Sequence, residues 1–497
     1  MSRKDELLLR IREGGKLSTS EQLRLTALLS IPAIFAQVST ILMFYIDDAM
    51  VGSLGARASA SIGIVATSIW LFWSIISCAA TGFSVQVAHL VGANDLAGSR
   101  AVFRQSIVAS LALAVITGLV GVLISFPLPR WLGGDASICG DASLYFLVFA
   151  LGAPFAMLDM LASSMLRCAG NIKVPSWANV VMCILDVTFN FFLIFPSRTL
   201  DLSFNSSIFQ YFNPSTFQPF NLHLLLPGAG LGVVGASLGT CAAEAVVAIF
   251  LMWYAETHCP ELCLRGQRVS FRPQRQTLRK AGNIAGPIFF QRVLMNVAQI
   301  TITIIVAPLG AVAIAANALG ITAESLCYMP GYGIGEAATT LVGQSFGAGR
   351  RRLTERFAWM TTLLGIAVMT LMGAVMYMAA PLMMASLTPD EAVRQLGTEC
   401  LRIEAWAEPG FAASIVAMSV FVGAGDTRRP AMMNLFSMWA VRVTLAALLA
   451  SRYGLQGVWF GMAVELTFRG IIFLIRLKFG RWLRNIKLKT DHHKDAS

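Results

Sequence analysis

Apolar and polar positions fall along this chain in long blocks. Apolar runs of roughly 20 residues recur from end to end, the length an α-helix needs to cross a hydrocarbon layer. About twelve can be placed, centred near Phe35, Leu71, Ala114, Phe155, Leu185, Ala245, Thr301, Leu326, Leu371, Ser414, Leu445 and Ile472. A backbone in lipid must satisfy its own hydrogen bonds, and no barrel-like alternation runs through these segments, so they are expected to be helices. The pattern predicts an all-α polytopic membrane protein. Ahead of the first run, MSRKDELLLRIREGGKLSTSEQLRL is charged and helix-periodic, with no signal-peptide cleavage site. It is expected to lie as a surface helix leading into the first span.

The blocks repeat. A shift of 255 carries Pro32 onto Pro287, Phe35 onto Phe290, Gly55 onto Gly310, Gly92-Ala93 onto Gly347-Ala348, Pro154 onto Pro409, Gly170 onto Gly425, Pro175 onto Pro430 and Asn179 onto Asn434. Three of the five prolines between positions 32 and 179 meet a proline, which composition alone does not explain. The chain is read as a duplicated unit. Each copy holds about six spans, an even number, so both enter the membrane the same way up. That predicts two six-helix lobes related by a pseudo-two-fold axis along the membrane normal, with binding near their interface. Farther on, Gly232, Gly235 and Gly239 match Gly454, Gly457 and Gly461 at a shift of 222, so the first copy carries an insertion of about 33 residues. The expected organisation is a segment 1–24, an N-lobe 25–256 with a loop insertion 197–229, a linker 257–282, a C-lobe 283–479 and a tail 480–497. The insertion is read as an external loop whose Phe204, Phe209, Tyr211, Phe212, Phe217 and Phe220 could rest on the membrane interface.

Composition agrees, with 56% hydrophobic and 13% charged residues and a mean hydropathy of +0.67. The net charge of +11 raises nucleic acid as a partner, but Lys and Arg gather in alternate loops, from Arg3 to Lys16, Arg265 to Lys280, Arg350 to Arg356 and Arg476 to Lys489. That distribution is the positive-inside pattern; it excludes a nucleic-acid role and places both termini in the cytoplasm.

Candidate chemistry lies in charges set inside apolar runs. An aspartate near the centre of a span costs roughly 2.5 to 3.5 kcal/mol, so such residues usually face a wet cavity or a partner. Asp47 and Asp48 end the first run, where a helix end meeting water is the plainer alternative. Asp186 and Asn190 lie four apart in the fifth run and so share a helix face. Their repeat positions are Ile302 for Asp47, Val441 for Asp186 and Leu445 for Asn190. The polar cluster therefore belongs to the first half, and Asp47 with Asp186 is read as a site. The second half holds Arg292, Glu324, Glu336, Glu404, Glu408, Arg442, Glu465 and Arg469 in or beside spans; internal ion pairing is expected for several of them, with Glu324 the exception. Nine scattered Cys and His258 form no complete zinc pattern, His89 reads as a polar helix contact, and no Walker motif appears.

The segments IDDAMVGSLGA (46–56), LRCAGNIKVP (166–175), LDVTFNFFLIF (185–195), GLGVVGASLGT (230–240), ESLCYMPGYGIGEAATTLVGQSFGAG (324–349) and GAGDTRRP (423–430) resemble, in order, the MATE family of multidrug and toxic-compound extrusion transporters, in its bacterial DinF-like branch. The resemblance runs from about Leu25 to Phe479. It implies a two-lobed secondary transporter without enzymatic activity or cofactor, monomeric in the bacterial inner membrane. Such a protein expels small organic, often cationic, compounds against a proton or sodium gradient, the proton being the stronger expectation. It also implies that Asp47 is the acidic residue of the first helix, that Thr240 belongs to the ion-linked cluster of the N-lobe, and that Glu324 matches an eighth-helix glutamate. The chain departs from the family in carrying Asp186 then Asn190 where relatives carry Asn then Asp, which moves the carboxylate by about 6 Å along the helix. Met295, Asn296 and Val422 stand where other branches carry charges, which weakens a sodium site in the C-lobe. A lipid-linked precursor flippase, favoured by Arg292 and Arg442, and an integral membrane enzyme remain the alternatives.

Overall fold

The structure, a computed structural model, describes residues 3–203, 221–264, 271–480 and 482–484. Helix α1 (Arg3–Glu13) leads to Ser18, which starts α2 (Thr19–Gly52) with a capping box. The Ser18 hydroxyl accepts from the Glu21 N–H at 3.2 Å, and the Glu21 carboxylate accepts from the Ser18 N–H at 2.9 Å, so the polar stretch STSE sets where the span begins. The first half continues through α3 (Ala56–Gly92), α4 (Leu96–Ile124), the short α5 (Leu128–Trp131), α6 (Ala136–Cys168), α7 (Lys173–Ile194) and α8 (Gly232–His258). The second half comprises α9 (Arg275–Val306), α10 (Ala311–Gly347), α11 (Arg351–Leu387), α12 (Glu391–Ala405), α13 (Glu408–Gly423), α14 (Arg428–Phe436), a π-helical stretch Ser437–Val443 and α15 (Thr444–Phe479). Prolines 32, 154, 287, 330 and 381 lie inside helices, where each removes an intrahelical hydrogen bond.

Each predicted span centre falls in one of these helices. Helices α12 and α13 form one crossing bent by 60°. The run Arg428–Phe479 is 52 residues long and would reach about 78 Å if straight, twice what one crossing needs. It doubles back at Gly454, whose φ of 58° and ψ of −142° lie outside the helical region. Beyond that turn, a Cβ on Gly457 would sit 2.6 Å from the Leu449 carbonyl oxygen, so only glycine lets the two limbs close there, and one on Gly461 would make a tight contact at 3.0 Å with the Leu445 Cβ. With the bent pair counted once and the doubled run twice, the described residues make twelve crossings.

The two-fold relation is visible in paired contacts. A Cβ on Gly92 would fall 2.0 Å from the Gln344 carbonyl oxygen, and one on Gly347 would fall 2.0 Å from that of His89. The Gln344 amide donates to the Cys168 carbonyl at 2.9 Å, and His89 Nε2 bonds the Gly423 carbonyl at 2.7 Å. A shift of 255 converts each member of these pairs into the other. The axis therefore passes between the ends of α3 and α10. At the same end the Arg167 guanidinium meets Glu336 at 2.7 Å, joining α6 of one lobe to α10 of the other, and the Gln37 amide donates to the same carboxylate at 2.9 Å. Glu336 is thus one of the charges that form an internal ion pair, and its partner comes from the other lobe.

Two expectations change. Helix α1 is not a free surface helix: Leu7, Leu8 and Ile11 are 0%, 3% and 0% exposed, packed in one cluster with Leu341, Leu353, Phe357 and Trp482. Arg12 binds Glu261 at 2.7 Å and the Ala169 carbonyl at 3.1 Å, while Arg350 donates to the Arg10 carbonyl at 3.1 Å. The helix closes over the seam where the lobes meet. The insertion 197–229 is not simply a loop, because its base is an antiparallel hairpin of β1 (Pro196–Ser203) and β2 (Asn221–Ala229). Its aromatic residues Phe204, Phe209, Tyr211, Phe212, Phe217 and Phe220 lie outside the described residues.

Candidate ion and substrate site

Four of the residues singled out from the sequence come together in the N-lobe. Helix α2 brings Asp47, α7 brings Asp186 and Asn190 on one face, and α8 brings Thr240. The side-chain amide of Asn190 donates to Asp47 Oδ1 at 2.9 Å and to Asp186 Oδ2 at 3.2 Å, so one nitrogen joins two carboxyl groups. Asp186 and Asn190 are fully buried. Thr240 stands beside Asp186, its hydroxyl donating to the Ala236 carbonyl at 3.1 Å. Among the described residues, no donor meets two buried oxygens, Asp186 Oδ1 and Asn190 Oδ1. A buried oxygen without a donor is costly unless a proton or cation occupies the space beside it.

Glycine makes this arrangement possible. A Cβ on Gly239 of α8 would fall 2.0 Å from Asn190 Oδ1, so α7 and α8 approach only because that position is bare. Its repeat equivalent, Gly461, packs against Leu445, the equivalent of Asn190. The same tight helix pair is built twice, and at this glycine contact the first copy presents Asn190 where the second presents Leu445. Above the site, Val51, Ile194, Val233 and Ala236 form a small apolar cluster on which Tyr145 packs, facing the carboxyl groups. Asp48 is exposed and takes no part in these bonds.

Sequence reading passes over two members of the same acidic line. Glu244, one turn after Thr240 on α8, is 5% exposed, and Asp159 of α6 is 8% exposed. Glu244 has Asp159 and Asp186 as its charged neighbours, and Asp159 has Arg167, so acidic groups run from Asp47 toward the Arg167–Glu336 pair at the closed end. Both lie in the middle of apolar runs, and the repeat offsets place Ser414 opposite Asp159 and Leu466 opposite Glu244. The rule that finds Asp186 would find them too.

Glu324 lies elsewhere, in the C-lobe, facing Glu404 and Glu408. Glu404 and Glu408 flank the bend between α12 and α13 and are fully buried, and among the described residues no basic or hydroxyl donor meets their carboxylate oxygens. Glu465 does form the expected internal ion pair, with Arg469 at 3.1 Å, and also accepts from Ser437 at 2.6 Å. Arg442 borders a cavity of about 240 Å3 with Gln299, Thr303, Asn317 and Trp459.

Known proteins share this architecture. The sequence pattern described as MatE matches residues 32–192 and 287–448, two stretches that begin 255 residues apart, the spacing of the internal repeat. A probable multidrug resistance protein NorM of Thermotoga maritima is 24% identical over 94% of this chain and 94% of its own length. A protein of the same description from Pseudomonas aeruginosa is 28% identical over 90% of this chain and 88% of its own. Among solved structures, an outward-facing multidrug resistance MATE family transporter of the MOP superfamily superposes with a TM-score of 0.81 at 18% identity, covering 96% of this chain and 98% of that one. The Vibrio cholerae MATE transporter VcmN in its bent form superposes at 0.78 and 18%, covering 97% of this chain and 98% of that one. The internal repeat, the twelve crossings and the two matched stretches together show that this chain belongs to the MatE family of membrane transporters.

Proposed function

We propose that the protein is a cation-coupled secondary antiporter that exports organic cations by alternating access, with Asp47, Asp186, Asn190 and Thr240 as its coupling site. The observation that carries this reading is the Asn190 amide shared by two carboxyl groups, beside two buried oxygens that no donor among the described residues meets. Two carboxylates around one amide repel each other when both are ionised, and a single proton or monovalent cation between them removes that repulsion. The proton is the coupling ion of this reading, with sodium the alternative. Ion entry neutralises the N-lobe and weakens its hold on a cationic compound; ion loss restores it. Relatives named as multidrug resistance proteins support substrate breadth.

By the positive-inside pattern, the end closed by His89, Gln344, the Arg167–Glu336 pair and α1 is the cytoplasmic end. The conformation described is then shut toward the cytoplasm. Glu324, Glu404 and Glu408 form a second acidic centre that tunes the cycle from the C-lobe. A flippase of phosphate-bearing precursors needs a cationic cavity, but Arg442 and its neighbour Arg469 stand among Glu465, Glu324 and Glu404, and the N-lobe site is acidic.

The test is efflux of a fluorescent cationic dye from proteoliposomes under separately imposed pH and sodium gradients. Wild type is expected to move dye with the pH gradient, and Asp47→Asn and Asp186→Asn to lose at least about tenfold in rate. Dye moved by sodium alone would reassign the ion. Full activity of both variants would reject the site.

A further inference from the structure

We propose that the membrane-facing side of the C-lobe carries a site for one anionic phospholipid of the external leaflet, with its phosphate on Arg402 and an acyl chain along α15. A groove of about 730 Å3 runs between α11, the bend joining α12 to α13, and the part of α15 after Gly454. Its apolar wall is built from Trp406, Phe460, Val464 and Ile471, which are 79%, 54%, 37% and 50% exposed. Met378 and Leu382 on α11 and Ile475 and Phe479 on α15 continue that apolar exterior, each more than half exposed. A surface so apolar in a membrane transporter faces acyl chains.

Arg402 is the charged residue of this lining. Its Nε donates to the Tyr377 carbonyl at 3.4 Å, its guanidinium carbon lies 5.5 Å from the centre of the Tyr377 ring, and among the described residues no carboxylate pairs with it. Glu399, one turn earlier on α12, is bonded to the Gln456 amide. That bond also sets the depth: Gln456 is two residues past the Gly454 turn, so Arg402 sits about one helical turn inside the outer margin of the span. A guanidinium there is stabilised by an anion, and the planar fork suits two phosphate oxygens. The groove's lining holds no carboxylate, and the nearby Glu399 carboxylate is already engaged by the Gln456 amide, so no free carboxylate awaits a choline or ethanolamine group, which favours an anionic headgroup over a zwitterionic one. Trp406, four residues after Arg402, packs edge-on to the same Tyr377 ring with ring centres 6.1 Å apart. It stands at the 60° bend whose inner side holds Glu404 and Glu408, so a bound lipid presses on the broken span.

This proposal does not depend on the transport reading. Detergent-purified, delipidated protein is titrated with phosphatidylglycerol or phosphatidylcholine of the same chains, and retained lipid is counted by native mass spectrometry. Wild type is expected to retain one phosphatidylglycerol at least about fivefold over phosphatidylcholine. Arg402→Gln is expected to abolish the preference, Arg402→Lys to keep most of it, and Arg452→Gln, an external control, to leave it intact. Val464→Glu is expected to lose the lipid while Arg402 remains. Equal retention of both lipids by wild type, or an unchanged preference in Arg402→Gln, overturns the proposal. Displacement of the lipid by millimolar inorganic phosphate overturns it in favour of a simple phosphate site.

Discussion

At the scale of single residues, a repeated sequence supplies its own controls. Gly239 and Gly461 occupy the same place in the two halves, but a Cβ at Gly239 meets a polar oxygen of the site at 2.0 Å, whereas one at Gly461 meets an apolar Leu445 Cβ at 3.0 Å. Gly239→Ala is expected to displace Asn190 from Asp47, abolish transport and cost about 1 to 3 kcal/mol of stability. Gly461→Ala should retain most of the transport; equal loss in both would mean that helix packing, not the polar bridge, is what matters. His89 and Gln344 form the second such pair, each bonding a main-chain carbonyl of the opposite lobe. His89→Gln installs the side chain that already serves at the related position, so its melting temperature in detergent should match wild type. His89→Ala should melt lower, by an amount that reflects one lost hydrogen bond of about 1 kcal/mol. A transport defect in His89→Gln at normal stability would show that the imidazole itself is needed.

At the scale of elements, the span helices are legible in the sequence because apolar block length alone reports them. Asp186 and Asn190 are legible because four-residue spacing puts them on one helix face. Three features are not. The partner of Glu336 lies 169 positions away on another helix, which no local pattern encodes. The burial of α1 depends on a surface made jointly by α10, α11 and the segment after α15, so an amphipathic helix read alone looks like one that lies on a membrane. Glu404 and Glu408 read as candidates for ion pairs because nearby Arg residues share their half, but the bend at Trp406 turns both carboxylates inward. The position of α1 has a direct consequence. Leu7→Asp with Ile11→Asp puts two carboxylates into a dry seam and is expected to loosen the closed end. In a background lacking the native cysteines, a cysteine at Gln344 should then label with an aqueous maleimide at least about tenfold faster than with α1 intact. Unchanged labelling would show that the helix covers the seam without holding it.

At the scale of the whole molecule, two copies of one six-span unit have been given different interiors. The first carries the bridged Asp47–Asn190–Asp186 cluster and, beyond it, Glu244 and Asp159; the second carries Glu324, Glu404 and Glu408 beside Arg442. The two copies meet on an axis marked by glycines that let α3 and α10 touch backbone to backbone. Division of labour of this kind suits a transporter in which occupancy of one lobe alters how the lobes meet. The central claim is that substrate and coupling ion compete at the N-lobe carboxyl pair. It is tested most directly by measuring proton release when tetraphenylphosphonium is added to purified protein in weakly buffered, sodium-free detergent solution. Wild type is predicted to release close to one proton per bound cation, with Asp186→Asn releasing few or none while still folded. Binding of the cation without proton release by wild type, or release that persists in both Asp47→Asn and Asp186→Asn, would contradict the account.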